Sequence, residues 1–226
     1  MSHTFALTPW PNNITAAIFD FDGTLAETWT LWRFVDETFF AERGLPYDES
    51  ASQALTTLGF AAGAQWCVER YELPERPQDI VDEWNKMGSS LYAEKACLRP
   101  GAEAYLKRLR TQGIRLALAT TNDPEVLSSM APRVDVAELF DAIVCGKEVA
   151  HGKDSPDIYL EAARRLDVAP VSCIVFEDIV PGVLSARSVG MASCGVFCDD
   201  PKQDRAALTR EADLVIENWL DAKLGT

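Results

Sequence analysis

Four short stretches of this sequence end an apolar run on groups suited to phosphate or metal. "AIFDFDGT" carries Asp20 and Asp22, "ALATTND" carries Thr120, Thr121 and Asn122, "CGKEVAHGK" brings Lys147 and Lys153, and "IVFED" ends on Glu177 and Asp178. Taken singly, each has a local explanation: Asp-Gly-Thr makes a turn, Thr-Asn-Asp-Pro caps a helix, a loop lysine is solvated, and Glu-Asp opens a helix. Taken together at one sheet edge, they crowd up to four carboxylates, Asp20, Asp22, Glu177 and Asp178. Such a group resists joint ionisation unless cations compensate it. A lysine and a divalent ion would do so. Oxygen ligands without histidine or cysteine point to Mg²⁺, which takes one or two protein carboxylates and keeps water and substrate oxygens.

The elements that must hold these groups are legible as apolar runs. "ITAAIF", "IRLALAT", "AIVC" and "SCIVF" are continuous rather than alternating, the pattern of parallel strands buried on both faces. "ASCGVF" and "ADLVI" extend the series. Between them lie helical segments. "RPGAEAYLKRLRTQG" places Pro100 near a start and Gly113 at a stop; "DSPDIYLEAARRLDV" offers Ser155 as N-cap and Pro156 in the first helical position. Strand and helix alternate from residue 100 onward, which predicts an α/β fold with a doubly wound, mostly parallel Rossmann-like sheet. Ligands of such sheets bind beyond the carboxyl ends of the strands, where all four stretches fall.

The first two strands are separated by about a hundred residues, against the dozen or so that a parallel crossover requires. From Trp29 to about Cys97 the chain is rich in Ala, Leu, Glu and aromatics, broken at "RGLPYDES", "LGFAAGAQ" and "LPERPQD". This reads as an α-helical cap inserted in the sheet domain, with residues 26–97 as the cap and 1–25 and 98–226 as the core. Trp29, Trp32, Trp66 and Trp84 fall within it, and aromatics at helical spacing read first as the core of a small domain.

With 226 residues, 47% of them hydrophobic, the chain has material for a packed core. A formal charge of −14 disfavours nucleic acid and anionic membrane partners. "MSHTFALTPWPNN" lacks the basic start and apolar stretch of a signal peptide, so a cytoplasmic protein with reduced, buried thiols is expected. Its six cysteines show no Cys-x-x-Cys pair, and His3 and His151 are too few for a histidine metal cluster or a catalytic triad.

In order and spacing, "DFDGT", "LATTN", "HGKDSPDIYLEA" and "VFEDIVPGVLSARSVGM" resemble the four motifs of the haloacid dehalogenase-like superfamily. The position of the insertion resembles the helical-cap subgroup that includes phosphoglycolate phosphatase-like enzymes and β-phosphoglucomutase. The resemblance implies Asp20 as nucleophile, forming an aspartyl-phosphate, and Asp22 as general acid and then base. It implies phosphate binding by Thr120, by backbone N–H groups around Thr121 and Asn122, and by Lys153. Mg²⁺ would be held by Asp178, the Asp20 carboxylate and the Asp22 backbone carbonyl, with Glu177 a direct ligand or a neighbour of one.

Four features refine that expectation. Ile179 stands where many relatives have Ser, with Pro181 before Gly182, and Glu27-Thr28 stands where Asp-Ser is more usual. Relatives that cleave halides or phosphonates lack an acid at the position of Asp22. In the cap, "LTTLGFAAGAQW" resembles a substrate-reading loop, but Phe60 and Gln65 stand where a mutase would carry charge. The expected activity is hydrolysis of a small phosphorylated metabolite by a monomer or homodimer; a phosphomutase and a non-catalytic binding protein are the alternatives. Trp29, Trp32, Arg33, Thr57 and Phe60 are the cap candidates for substrate contact.

Overall fold

The computed structural model describes residue 10 and residues 13–222; most of the segment read for a signal peptide, with His3, lies outside them. Six strands form one sheet: β1 (Ala16–Phe19), β2 (Arg115–Thr120), β3 (Ala142–Cys145), β4 (Cys173–Glu177), β5 (Ala192–Val196) and β6 (Leu214–Ile216). Every pairing is parallel and the order is β3-β2-β1-β4-β5-β6. The two weaker apolar runs are thus strands, and the fold is the doubly wound α/β sheet that the sequence predicts.

Both faces of the sheet are covered. Ala17 and Phe19 of β1 face one core with Leu116, Leu118, Phe176 and Trp219; Ala16 and Ile18 face another with Ala117, Ala119, Val144 and Val175. Phe19 and Phe176, neighbours in the β1–β4 register, stack with ring centroids 4.6 Å apart. Helices α4 (Ala102–Thr111) and α5 (Pro124–Ser128) cover the first face, and α6 (Asp157–Arg165) and α7 (Val180–Ser188) the second, while α8 (Arg205–Glu211) packs against α7. Connections leave β1 and β4 toward opposite faces. The crevice beyond their carboxyl ends is therefore the switch point at which such sheets bind ligands.

Helix α6 begins at Asp157, one residue later than the sequence suggests. Ser155 does not cap it; its hydroxyl donates to the Asp157 carboxylate at 2.8 Å, and Pro156 takes the N-cap place. Ile179 precedes α7 without a side-chain cap, and Pro181 sits in the helix's first turn, where a missing N–H is tolerated. Five of the six thiols are buried, but Cys97 is exposed, contrary to expectation, because it lies in the connection leading back to the sheet.

Between β1 and α4 lie three helices, α1 (Trp29–Glu42), α2 (Glu49–Tyr71) and α3 (Pro77–Glu94), with a hydrophobic core of their own around Phe39, Phe40, Ala64, Cys67, Ile80 and Trp84. The break expected at "LGFAAGAQ" is a kink inside α2: Gly59 adopts φ 72° and ψ 179°, a backbone state open to glycine. Two crossings join these helices to the sheet, at Ala26 and Leu98, which pair antiparallel.

One charge sits uneasily among the inserted helices. Asp36 accepts a hydrogen bond from Tyr47 Oη at 2.8 Å, yet burial pushes its carboxyl up to about 6. A carboxyl that binds its proton more tightly when folded loses stability as pH rises through that value. Asp36→Asn should therefore raise the melting temperature at pH 7.5 by about 2–4 °C, on the order of 1 kcal/mol, and raise it by clearly less at pH 4.5. Thermal unfolding of both forms at the two pH values checks this.

Candidate active site

The switch point holds charge away from water. Asp20, Lys153 and Glu177 are 3%, 5% and 0% exposed. Asp20 follows β1, with its backbone N–H bonded to Phe176 O at 3.0 Å; Glu177 ends β4; Lys153 comes from the loop before α6. The lysine bridges the carboxylates, bonding Asp20 Oδ1 and reaching Glu177 Oε1 at 2.6 Å. Tyr159 of α6 donates to the same Glu177 oxygen at 2.7 Å. Burial raises Asp20 to about 6 against the pull of Lys153, with Glu177 adding to the rise. Burial raises Asp178 well above the carboxylate range, and Asp20 and Glu177 push it further. Burial opposes charge on Lys153, but the two carboxylates prevail and hold it protonated.

Three carboxylates against one lysine leave negative charge in excess. Oxygens of Asp20, Glu177 and Asp178 lie within 4.8 Å of one another, and both Asp20 Oδ2 and Glu177 Oε2 are buried without a hydrogen-bond partner. Unpaired buried carboxylate oxygens cost free energy that a cation recovers. The donor set, all oxygen and close together, fits a hard divalent ion.

Two glycines make the close packing possible. Gly23 has φ 80°, and a Cβ there would stand 2.2 Å from Asp178 Oδ2; at Gly182 a Cβ would stand 2.7 Å from Glu177 Cδ and from Tyr159 Oη. No larger residue fits either place without moving an acidic group. The Pro181-Gly182 departure noted in the sequence thus resolves into a proline in the first turn of α7 and a glycine against Glu177.

Asp22 turns toward the inserted helices. Its Oδ1 accepts from Thr28 Oγ1, Trp32 Nε1 at 3.0 Å and Tyr92 Oη; its Oδ2 accepts from Asn122 Nδ2 at 2.7 Å. Burial and then Asp20 raise its pKa, while the donors hold it down. Thr120 is buried, and its Oγ1 accepts the Asn122 backbone N–H at 3.1 Å, leaving the hydroxyl proton free to donate. Thr121 lies beside the α2 kink, 3.8 Å from where a Gly59 Cβ would stand. Lys147 is not part of the cluster; it pairs with Asp123 at 3.3 Å and is largely exposed.

Among the cap candidates, Trp32 reaches Asp22 and packs against Phe60, with centroids 5.1 Å apart. Arg33 pairs with Glu37 at an exposed place, Trp29 is partly buried, and the Thr57 side chain lies outside the described residues. Gln65 bonds Glu69 at 2.6 Å on the exposed side of α2. Sequence reading missed Tyr92, which lies outside every motif, Tyr159, which sits inside "HGKDSPDIYLEA" without being singled out, and the side-chain role of Asn122.

A parallel sheet with buried acidic residues at its switch point and helices inserted after the first strand defines a class of hydrolase. The model of the haloacid dehalogenase-like hydrolases matches residues 14–190, and the chain belongs to that family. It is 32% identical over 216 residues to a probable pseudouridine-5'-phosphatase of Drosophila melanogaster, covering 93% of this chain and 92% of the relative. It is 33% identical over 214 residues to a bifunctional riboflavin kinase/FMN phosphatase of Arabidopsis thaliana, covering 93% of this chain but 55% of that protein's length. A crystalline Asp-to-Asn mutant of CbbY from Rhodobacter sphaeroides, in complex with xylulose-(1,5)bisphosphate, superposes with a TM-score of 0.80 at 30% identity, over 92% of this chain and 96% of the other. Among the described residues no helix is long and apolar enough to cross a membrane.

Removing the lysine should expose the charge imbalance. In metal-free buffer at pH 7.5, Lys153→Met should cost about 3–5 kcal/mol of stability, because it leaves buried carboxylates without their cation. Asp20 and Asp178 take up protons in the folded state as pH falls, so the deficit should shrink at pH 5. Urea unfolding at both pH values measures it.

Proposed function

We propose that this chain is a Mg²⁺-dependent phosphatase that hydrolyses the phosphate monoester of a small metabolite through an aspartyl-phosphate on Asp20. Residues 1–25 and 98–226 would form the catalytic domain and 26–97 a cap that covers it. The observation that carries the reading is the buried Asp20–Lys153–Glu177 bridge beside Asp178, with Asp22 two residues from the nucleophile. The phosphatase names of the relatives support it.

Asp20, Asp178 and Glu177 would hold Mg²⁺, with the Asp22 carbonyl completing the protein ligands. Bound there, the ion would offset negative charge on the cluster and on the phosphoryl group. In the first step Asp20 attacks phosphorus in line, the phosphorus–oxygen ester bond breaks, and Asp22 gives its proton to the leaving oxygen. In the second, Asp22 takes a proton from a water that attacks the aspartyl-phosphate, releasing inorganic phosphate and restoring Asp20. Lys153 and the Thr120 hydroxyl, with the backbone N–H groups at Thr121 and Asn122, place and neutralise the phosphoryl oxygens. The acid at position 22 suits an ester, whose alkoxide needs a proton.

Hydrolysis rather than phosphoryl return fits the aromatic and uncharged character of the inserted helices near the site, where Phe60 packs on Trp32 and Gln65 faces away. Asp20→Asn should lower phosphate release from a panel of sugar phosphates, phosphoglycolate and nucleotides by at least about a thousandfold. EDTA should abolish it and added Mg²⁺ restore it. Full activity in Asp20→Asn, in a preparation free of other phosphatases, would overturn the reading; an isomerised sugar phosphate without free phosphate would identify a mutase.

A further inference from the structure

The geometry points to Trp32 and Tyr92 as positioning residues that fix the orientation of Asp22, so that Oδ2 is the oxygen presented for proton transfer. This assignment rests on the phosphatase reading. Tyr92 is fully buried, and its hydroxyl accepts from Trp32 Nε1 at 2.8 Å and from Asn122 Nδ2 at 3.2 Å. Both acceptor sites of that oxygen are thereby used, so its own proton must go to Asp22 Oδ1. The indole N–H of Trp32 is shared between the Tyr92 oxygen and the same Oδ1, at 3.0 Å from the latter, and an indole nitrogen can only donate.

With the Thr28 hydroxyl also against it, Oδ1 meets three donors and has no acceptor site left to take part in the reaction. Among the described residues, Oδ2 takes one hydrogen bond, from Asn122. It keeps a free site, and that site is where a proton can sit or be delivered. Neither aromatic residue belongs to the sheet: Trp32 is in α1 and Tyr92 in α3. The inserted helices therefore supply the groups that aim the carboxylate, acting through Asp22 rather than on the substrate.

Two esters with different leaving groups separate this role from a structural one. β-Glycerophosphate departs as an alkoxide that requires a proton, whereas p-nitrophenyl phosphate departs as a phenolate that does not. In Tyr92→Phe and in Trp32→Phe, kcat/KM for β-glycerophosphate should fall at least about tenfold more than for p-nitrophenyl phosphate, the size expected for a lost hydrogen bond to a charged group. KM for either ester should stay within about twofold. Asp22→Asn should show the same selectivity more strongly. Equal losses on the two esters, or no loss on either, would overturn the assignment. Should Trp32→Phe fail to fold, Tyr92→Phe decides alone, since it removes a single oxygen from the side chain. Asp20→Asn run beside them keeps the two failures apart. If it retains hydrolysis, the phosphatase reading falls; if it is inactive while both aromatic variants lose the two esters equally, only the positioning role falls.

Discussion

The structure is organised around an excess of negative charge held out of water at the switch point of the sheet. Asp20, Glu177 and Asp178 come from the ends of β1 and β4, which lie side by side, and among the described residues Lys153 is the cation that answers them. Burying ions costs several kcal/mol each after relaxation, and their mutual attraction recovers this only with good geometry. The rest of the fold supplies that geometry. Stacked Phe19 and Phe176 hold β1 and β4 in register directly beneath the charges, Tyr159 satisfies one Glu177 oxygen, and Gly23 and Gly182 let backbone approach where any side chain would collide. An arrangement left with unpartnered buried oxygens is poorly designed for stability and well prepared for a cation and a phosphoryl group.

Much of this was legible in the sequence because parallel strands buried on both faces need unbroken apolar runs, and their exits are where charge can appear. Asp20, Thr120, Lys153, Glu177 and Asp178 were found that way, and so was the hundred-residue gap, which holds four helices, the first three with a core of their own. Motif reading found only what lies near the strand ends in the chain. Tyr92 is seventy residues from Asp22, and Tyr159 eighteen from Glu177; each meets its carboxylate through tertiary packing that no spacing announces. Asn122 carries a role its motif did not announce: beside the backbone N–H, which bonds Thr120 Oγ1, its side chain donates to Asp22 Oδ2. The missed N-cap of α6 has a local cause, since the Ser155 hydroxyl prefers a charged acceptor, Asp157, over a helix-end N–H.

The two acidic residues of the first motif thus live under different constraints. Asp20 is fixed by the sheet, through backbone pairing to β4 and the bridge of Lys153. Asp22 is fixed by the insertion, through Thr28, Trp32 and Tyr92, with Asn122 its partner from the sheet side. Buried Phe21 is the one residue between them in the chain, and the turn at Gly23, φ 80°, follows directly after Asp22. In the proposed mechanism, that division would put a nucleophile that must not move and an acid-base group that must serve two different oxygens under separate supports.

Arg99 shows how the fold keeps that division in register. It stands where the chain returns from the helices to the sheet, and its backbone N–H bonds Leu25 O at 2.8 Å, tying the outgoing and returning crossings together. Its side chain donates to Gly23 O at 2.8 Å and Phe197 O at 2.7 Å, and lies 3.5 Å from Glu27. One guanidinium thus holds the motif's turn, the end of the β5 strand and the outgoing crossing. Its planar fork of donors suits that task in a way a lysine's single ammonium would not. The turn is held from the other side by Trp219, whose indole donates to Thr24 O at 2.9 Å while its ring packs against Phe19 and Phe176. The segment that positions both acidic residues is therefore clamped by groups reaching it from over seventy residues away, so its conformation is a property of the whole sheet rather than of the motif.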